Sequence, residues 1–147
     1  MAIKQSAYFK GNSRTPVPNP HRKGEVIEYM FTHVFAETVA AADILDLFPI
    51  FPYGRIVGFD CASENLGAVN LTIGLMSGSP GSLDAARTSG SELVNAGAAG
   101  APATTALTAL AALAQNGDTP VSVGLKTSAD IVAGATKKLH CRIRVVS

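Results

Sequence analysis

The segment Lys137-Lys138-Leu139-His140-Cys141-Arg142-Ile143-Arg144-Val145-Val146 decides the fold. Leu139, Cys141, Ile143 and Val145 fall on one parity, and Lys138, His140, Arg142 and Arg144 on the other. Successive side chains of a strand emerge on opposite faces, so a period of two gathers the whole apolar set on one side. A helix would scatter the same residues around its circumference. The segment therefore predicts a strand with one face toward a core and a basic face outward.

The same pattern recurs upstream. Ile27, Tyr29, Phe31, His33 and Phe35 share one parity, while Val26, Met30 and Val34 make the opposite face apolar as well and predict partial cover there. Asp43–Phe48 reads as a short strand, ended by Pro49, Pro52 and Gly54. Arg55–Cys61 is a strand with Val57, Phe59 and Cys61 on one face. Val69, Leu71, Ile73 and Leu75 form another, and Val121–Leu125 a further one. Residues 36–42 fit a turn or a short helix, and 127–134 a connection with at most a short strand through Ile131 and Val132. The stretch 77–103, rich in Ser, Gly, Pro and Ala, is the longest expected loop. Leu107, Leu110 and Leu113 among alanines favour one short helix over 104–115, with a strand as the alternative. Leu71-Thr72-Ile73-Gly74-Leu75 and Val121-Ser122-Val123-Gly124-Leu125 share one form, and a glycine inside a strand marks a bulge or a close backbone approach.

Alternating strands without crossover helices predict an all-β, antiparallel β-sandwich. Jelly-roll and immunoglobulin-like arrangements both fit. At 147 residues the chain suits one domain. It divides into an extended N-terminal arm, 1–24, and a β-sandwich domain, 25–147. Pro16, Pro18 and Pro20 fix φ, remove three backbone donors and stiffen the arm.

A formal net charge of +1 hides a strong asymmetry. Residues 1–24 carry five bases and no acid; residues 25–125 carry ten acids against Arg55 and Arg87; residues 126–147 carry five bases against Asp130. The arm's bases are spread out and its aromatics are one pair, Tyr8-Phe9, which is poor for a nucleic-acid groove built on several stacking rings. Complementary charge between a basic arm and acidic neighbouring subunits is the reading preferred here. The start of the chain shows no apolar core of about 7–15 residues like that of a secretory signal. There is no stretch of about 18 apolar residues of the kind that spans a membrane.

A search for chemistry yields no catalytic, cofactor or metal residues. His21, His33 and His140 form no recognised zinc spacing with Cys61 or Cys141. Both cysteines fall on inward parity, which favours buried free thiols over a nucleophile; whether they pair is open. The carboxylate pairs Asp43/Asp46 and Asp60/Glu64 are better explained as turn caps and strand-edge groups than as glycosidase acids. No phosphate loop or nucleophile elbow is present.

The aromatic strand Tyr29–Phe35 leading into Ala41–Leu47, Arg55–Asp60 before Leu71–Leu75 with its Ser/Gly/Asp-rich loop, and the basic-apolar final strand together form a pattern. It resembles the jelly-roll cement, or decoration, proteins of tailed bacteriophages, such as that of a short-tailed Bordetella phage. The resemblance covers most of the chain and rests on strand patterns, not chemical signatures. It implies a non-enzymatic virion protein, assembled in the host cytoplasm, that sits on the outer capsid surface and cements neighbouring major capsid subunits. It implies the major capsid protein and copies of the chain itself as partners, with no nucleic acid, membrane or cofactor. Tyr8, Phe9, Arg14, Arg22 and Lys23 would supply the contacts. A tail or fibre-base protein and a small carbohydrate-binding sandwich are the alternatives.

Overall fold

The computed structural model describes residues 1–11, 25–99 and 117–146. Its strands are β1 (Ile3–Gln5), β2 (Val26–Val34), β3 (Ile44–Ile50), β4 (Arg55–Glu64), β5 (Asn70–Met76), β6 (Val94–Ala98), β7 (Val121–Thr127) and β8 (Lys138–Val146). No helix occurs among the described residues. The expected helix over 104–115 lies outside them.

The strands form a five-stranded sheet, β1-β3-β7-β5-β6, and a three-stranded sheet, β2-β8-β4. Every pairing is antiparallel except that of β1 with β3. From β2 to β5 the chain alternates between sheets. It then returns so that β7 lies between β3 and β5, and β8 between β2 and β4. This nested wrap is a jelly roll, one of the two arrangements left open by the strand pattern.

Between the sheets lies one core. Leu139, Cys141, Ile143 and Val145 of β8 are all buried, as their parity requires. Tyr29 and Phe31 of β2 meet Phe48 of β3 across the gap, with Phe31 stacked on Phe48 at a centroid distance of 4.9 Å and 11°. Burying each such side chain contributes roughly 1.5–3 kcal/mol.

Four local expectations change. β3 continues through Pro49, which the sequence marks as a break: Pro49 faces Ser122 of β7. β1 reaches only Asp46, so among the described residues β3 is paired on one side only beyond it, where a missing N–H is tolerated. In β4 a register shift between Ile56 and Gly58 reverses the parity, so Ile56 and Phe59 are buried while Val57 is half-exposed. Within the expected loop 77–103, Val94–Ala98 pair with β5 as a strand. On the outer face of β2, Val26 and Met30 are exposed rather than covered.

At the N-terminus, Ile3–Gln5 pair with Ile44–Asp46, and the Tyr8 ring packs edge-on against Phe31 and Phe48 at 5.7 and 5.0 Å. Residues 1–10 thus lie on the sandwich, and 12–24 fall outside the described residues.

Candidate interaction surface

The outer face of β2-β8-β4 follows from the parity opposite to the core. Val26, Met30 and Val34 form a row along edge strand β2, with Met30 77% and Val26 58% exposed. Beside them Arg142 pairs with Asp60 through Nε at 2.8 Å and through Nη2. Glu28 lies within 4.0 Å of Arg142 and 3.9 Å of Arg144. His140 sits 2.8 Å from Thr32 Oγ1 and 3.1 Å from Glu64 Oε1. The Asp60 carboxylate raises the Arg142 pKa above its ordinary value, mainly by hydrogen bonding. Exposed pairs of this kind add little stability; they cancel charge in place. The result is a nearly neutral face with an apolar border and a shallow groove of about 350 Å³ over Met30, Thr32, Asp60, Ala62, His140 and Arg142.

Among the described residues the opposite sheet presents no such face. Its outer side is roofed by the segment after β5, and an ion pair beneath that roof holds it. Arg87, 2% exposed, donates from Nη1 to Asp46 Oδ2 at 2.7 Å and to the Ser82 carbonyl at 2.8 Å. Its Nε donates to the Ser77 carbonyl and its Nη2 to Ser122 Oγ, at 2.8 and 2.9 Å. Gly81 N–H donates to the same Asp46 oxygen at 2.9 Å. One guanidinium therefore ties β3, β7 and both ends of the 77–87 turn. Sequence reasoning missed this site; the available signal was Arg87 standing as one of two bases in an acidic body.

Asp43 behaves as expected of a turn cap, accepting from Ala40 N–H and Ala2 N–H. Asp46 does not, being wholly buried on Arg87. Among the contact residues read from the sequence, Tyr8 is engaged with Phe31 and Phe48. Phe9 is half-buried and lies over Gly81, whose carbonyl accepts from Gln5. Arg14, Arg22 and Lys23 lie outside the described residues, so the five are not seen together.

Cys61 and Cys141 are both free; Cys141 is buried and Cys61 half-buried. Burial, aided by the Asp60 carboxylate, pushes the Cys61 thiol up to about 11. Burial, then its neighbour Cys61, raises Cys141 well above the usual thiol range. His33 is displaced the other way, down to about 4, by burial, against a smaller pull from Glu37. Glu37 in turn pairs with Lys10. Among the described residues no three His, Cys, Asp or Glu side chains converge as a metal site.

A chain of the capsid of Ralstonia phage GP4 superposes with a TM-score of 0.79 at 28% identity, covering 99% of this chain and 98% of that one. The likeness is to a phage capsid chain. A chain of the capsid asymmetric unit of cyanophage Pam1 superposes with a TM-score of 0.53 at 15% identity, over 91% of this chain and 93% of that one, a likeness of fold. No family model and no curated protein matches the sequence.

Proposed function

We propose that this chain is a non-enzymatic structural protein of a phage virion, which binds the outer surface of the head and cements neighbouring major capsid subunits. The observation that carries the reading is the near end-to-end likeness to a chain of the GP4 capsid. The chain's own surface supports it. A protein that worked alone would gain nothing from an apolar row along Val26, Met30 and Val34 beside a self-neutralised polar face. A subunit that docks on other polypeptides does, because uncompensated charge resists burial in an interface.

In this reading the sandwich is a rigid base and residues 12–24 are the reaching segment. Tyr8 fixes the root of that segment against the core. Phe9 lies beside it, and Arg14, Arg22 and Lys23 meet acidic surface on the capsid or on a sister copy. Many equivalent weak contacts over a closed shell sum by avidity.

The test is co-sedimentation of the purified full-length chain with expanded heads and, separately, with tails of the parent phage. Saturable binding to heads alone is the expected result. Binding to tails alone, or to neither, would refute the cement reading.

A further inference from the structure

Cys61 of edge strand β4 and Cys141 of central strand β8 are direct register partners. Partners in an antiparallel ladder send their side chains to the same face, with Cα atoms about 4.5–5.5 Å apart and Cβ atoms about 4.5–5.5 Å apart. A disulfide accepts Cα separations of about 4.4–6.8 Å and needs Cβ atoms at about 3.5–4.5 Å. The approach still required is about 1 Å. It falls on β4, which among the described residues is paired on one side only and carries a register shift at Ile56/Gly58.

From these placements we propose that Cys61 and Cys141 form an oxidisable cross-strand pair, a modification site at which a low-molecular-weight disulfide converts two thiols into one intramolecular bond. The half-buried Cys61 is the entry point, since Cys141 is only 3% exposed. In the first step the Cys61 sulfur attacks oxidised glutathione, breaking its S–S bond; Cys61 becomes a mixed disulfide and one glutathione leaves as a thiol. In the second step the Cys141 sulfur attacks the Cys61 sulfur, the Cys61–Cys141 bond forms, and the second glutathione leaves. Two protein thiols are oxidised, one external disulfide is reduced to two thiols, and the protons end on the glutathiones.

The order of events follows from the placement. Cys141 is almost fully covered but faces Cys61 directly, so the second step is intramolecular and outruns accumulation of the mixed disulfide. Both thiols are protonated at neutral pH, which makes the first step slow. The pair therefore stays reduced in a reducing cytoplasm and closes only on prolonged oxidising exposure. The bond would join the edge strand to the middle of its sheet and close a loop that includes β5, β6 and β7.

The experiment incubates the native full-length chain with oxidised glutathione at pH 8. It follows free thiols, intact mass, non-reducing peptide maps and Tm. The expected result is loss of both thiols without added glutathione mass, a peptide pair linking 61 to 141, and a Tm rise of about 5–10 °C that dithiothreitol reverses. Cys61→Ser should abolish both the link and the shift. A persistent glutathione adduct on Cys61, a chain-to-chain dimer, or thiol loss only in denaturant would each overturn the proposal.

Discussion

Gly74 of β5 and Gly124 of β7 face each other across the ladder, and the roofing segment descends onto both. A Cβ at Gly74 would stand 2.3 Å from the Gly90 carbonyl carbon and 2.2 Å from Glu92 Oε2. One at Gly124 would meet Met76 Cγ at 2.4 Å and Ser89 Oγ at 2.7 Å. The matching Gly-Leu strands in the sequence thus mark one shared bed. Gly74 meets backbone, whereas Gly124 mostly meets movable side chains. Gly74→Ala should therefore cost about 2–3 kcal/mol and Gly124→Ala nearer 1 kcal/mol. Urea midpoints of the two variants check the order; equal losses would contradict it.

Arg87→Met should be among the most destabilising substitutions. It strands the wholly buried Asp46 carboxylate, whose Oδ1 already lacks a hydrogen-bond partner, and it frees three carbonyl and hydroxyl acceptors. Removing one partner of a buried pair costs about 3–5 kcal/mol. The double variant Asp46→Leu/Arg87→Met should recover part of that loss, and equilibrium unfolding of all three variants measures the coupling.

His33 sets a pH window. Its folded-state pKa is lowered to about 4 from 6.5, so between those values the unfolded chain binds more protons than the folded one. Stability is then complete above pH 6.5 and falls as pH drops toward 4, by up to about 3 kcal/mol from this group. His33→Gln should flatten the stability profile in that interval. An NMR titration of the ring giving a value near 6.5 would remove the basis for the prediction.

Root and reach of the N-terminal segment should separate experimentally. Tyr8→Ala removes a ring that meets Phe31 and Phe48 edge-on and should cost about 2–4 kcal/mol of stability. Changing Arg14, Arg22 and Lys23 together to alanine should leave thermal stability within about 0.5 kcal/mol and weaken attachment to heads. Head binding by the triple variant equal to that of the unaltered chain would exclude those bases from the interface.

How much of this was legible in the sequence depended on how local each cause was. The alternation of Leu139 to Val145 is a property of one strand, and it held without exception. Val57 was misplaced because the shift at Ile56/Gly58 adds a residue to one strand only, which no periodicity displays. β6 escaped notice because Asn95, Ala96 and Gly97 have weak strand preference, and β5 imposes their pairing from outside. Asp46 and Arg87 lie 41 residues apart, so only the folded chain brings them together. The exposed face of β2 was partly readable: Val26, Met30 and Val34 were seen to be apolar, but whether they are covered depends on what stands opposite.

Among the eight described strands, the one at the centre of the small sheet, β8, follows both its neighbours in the chain, and β2 and β4 touch it but are not paired with each other. Among the described residues, neither outer strand has a partner in its own sheet until residues 138–146 have emerged during synthesis. Closing contacts so distant in sequence is slow, and the open halves expose strand edges meanwhile. The face carrying Met30 and Arg142 is therefore complete only once β8 has joined β2 and β4.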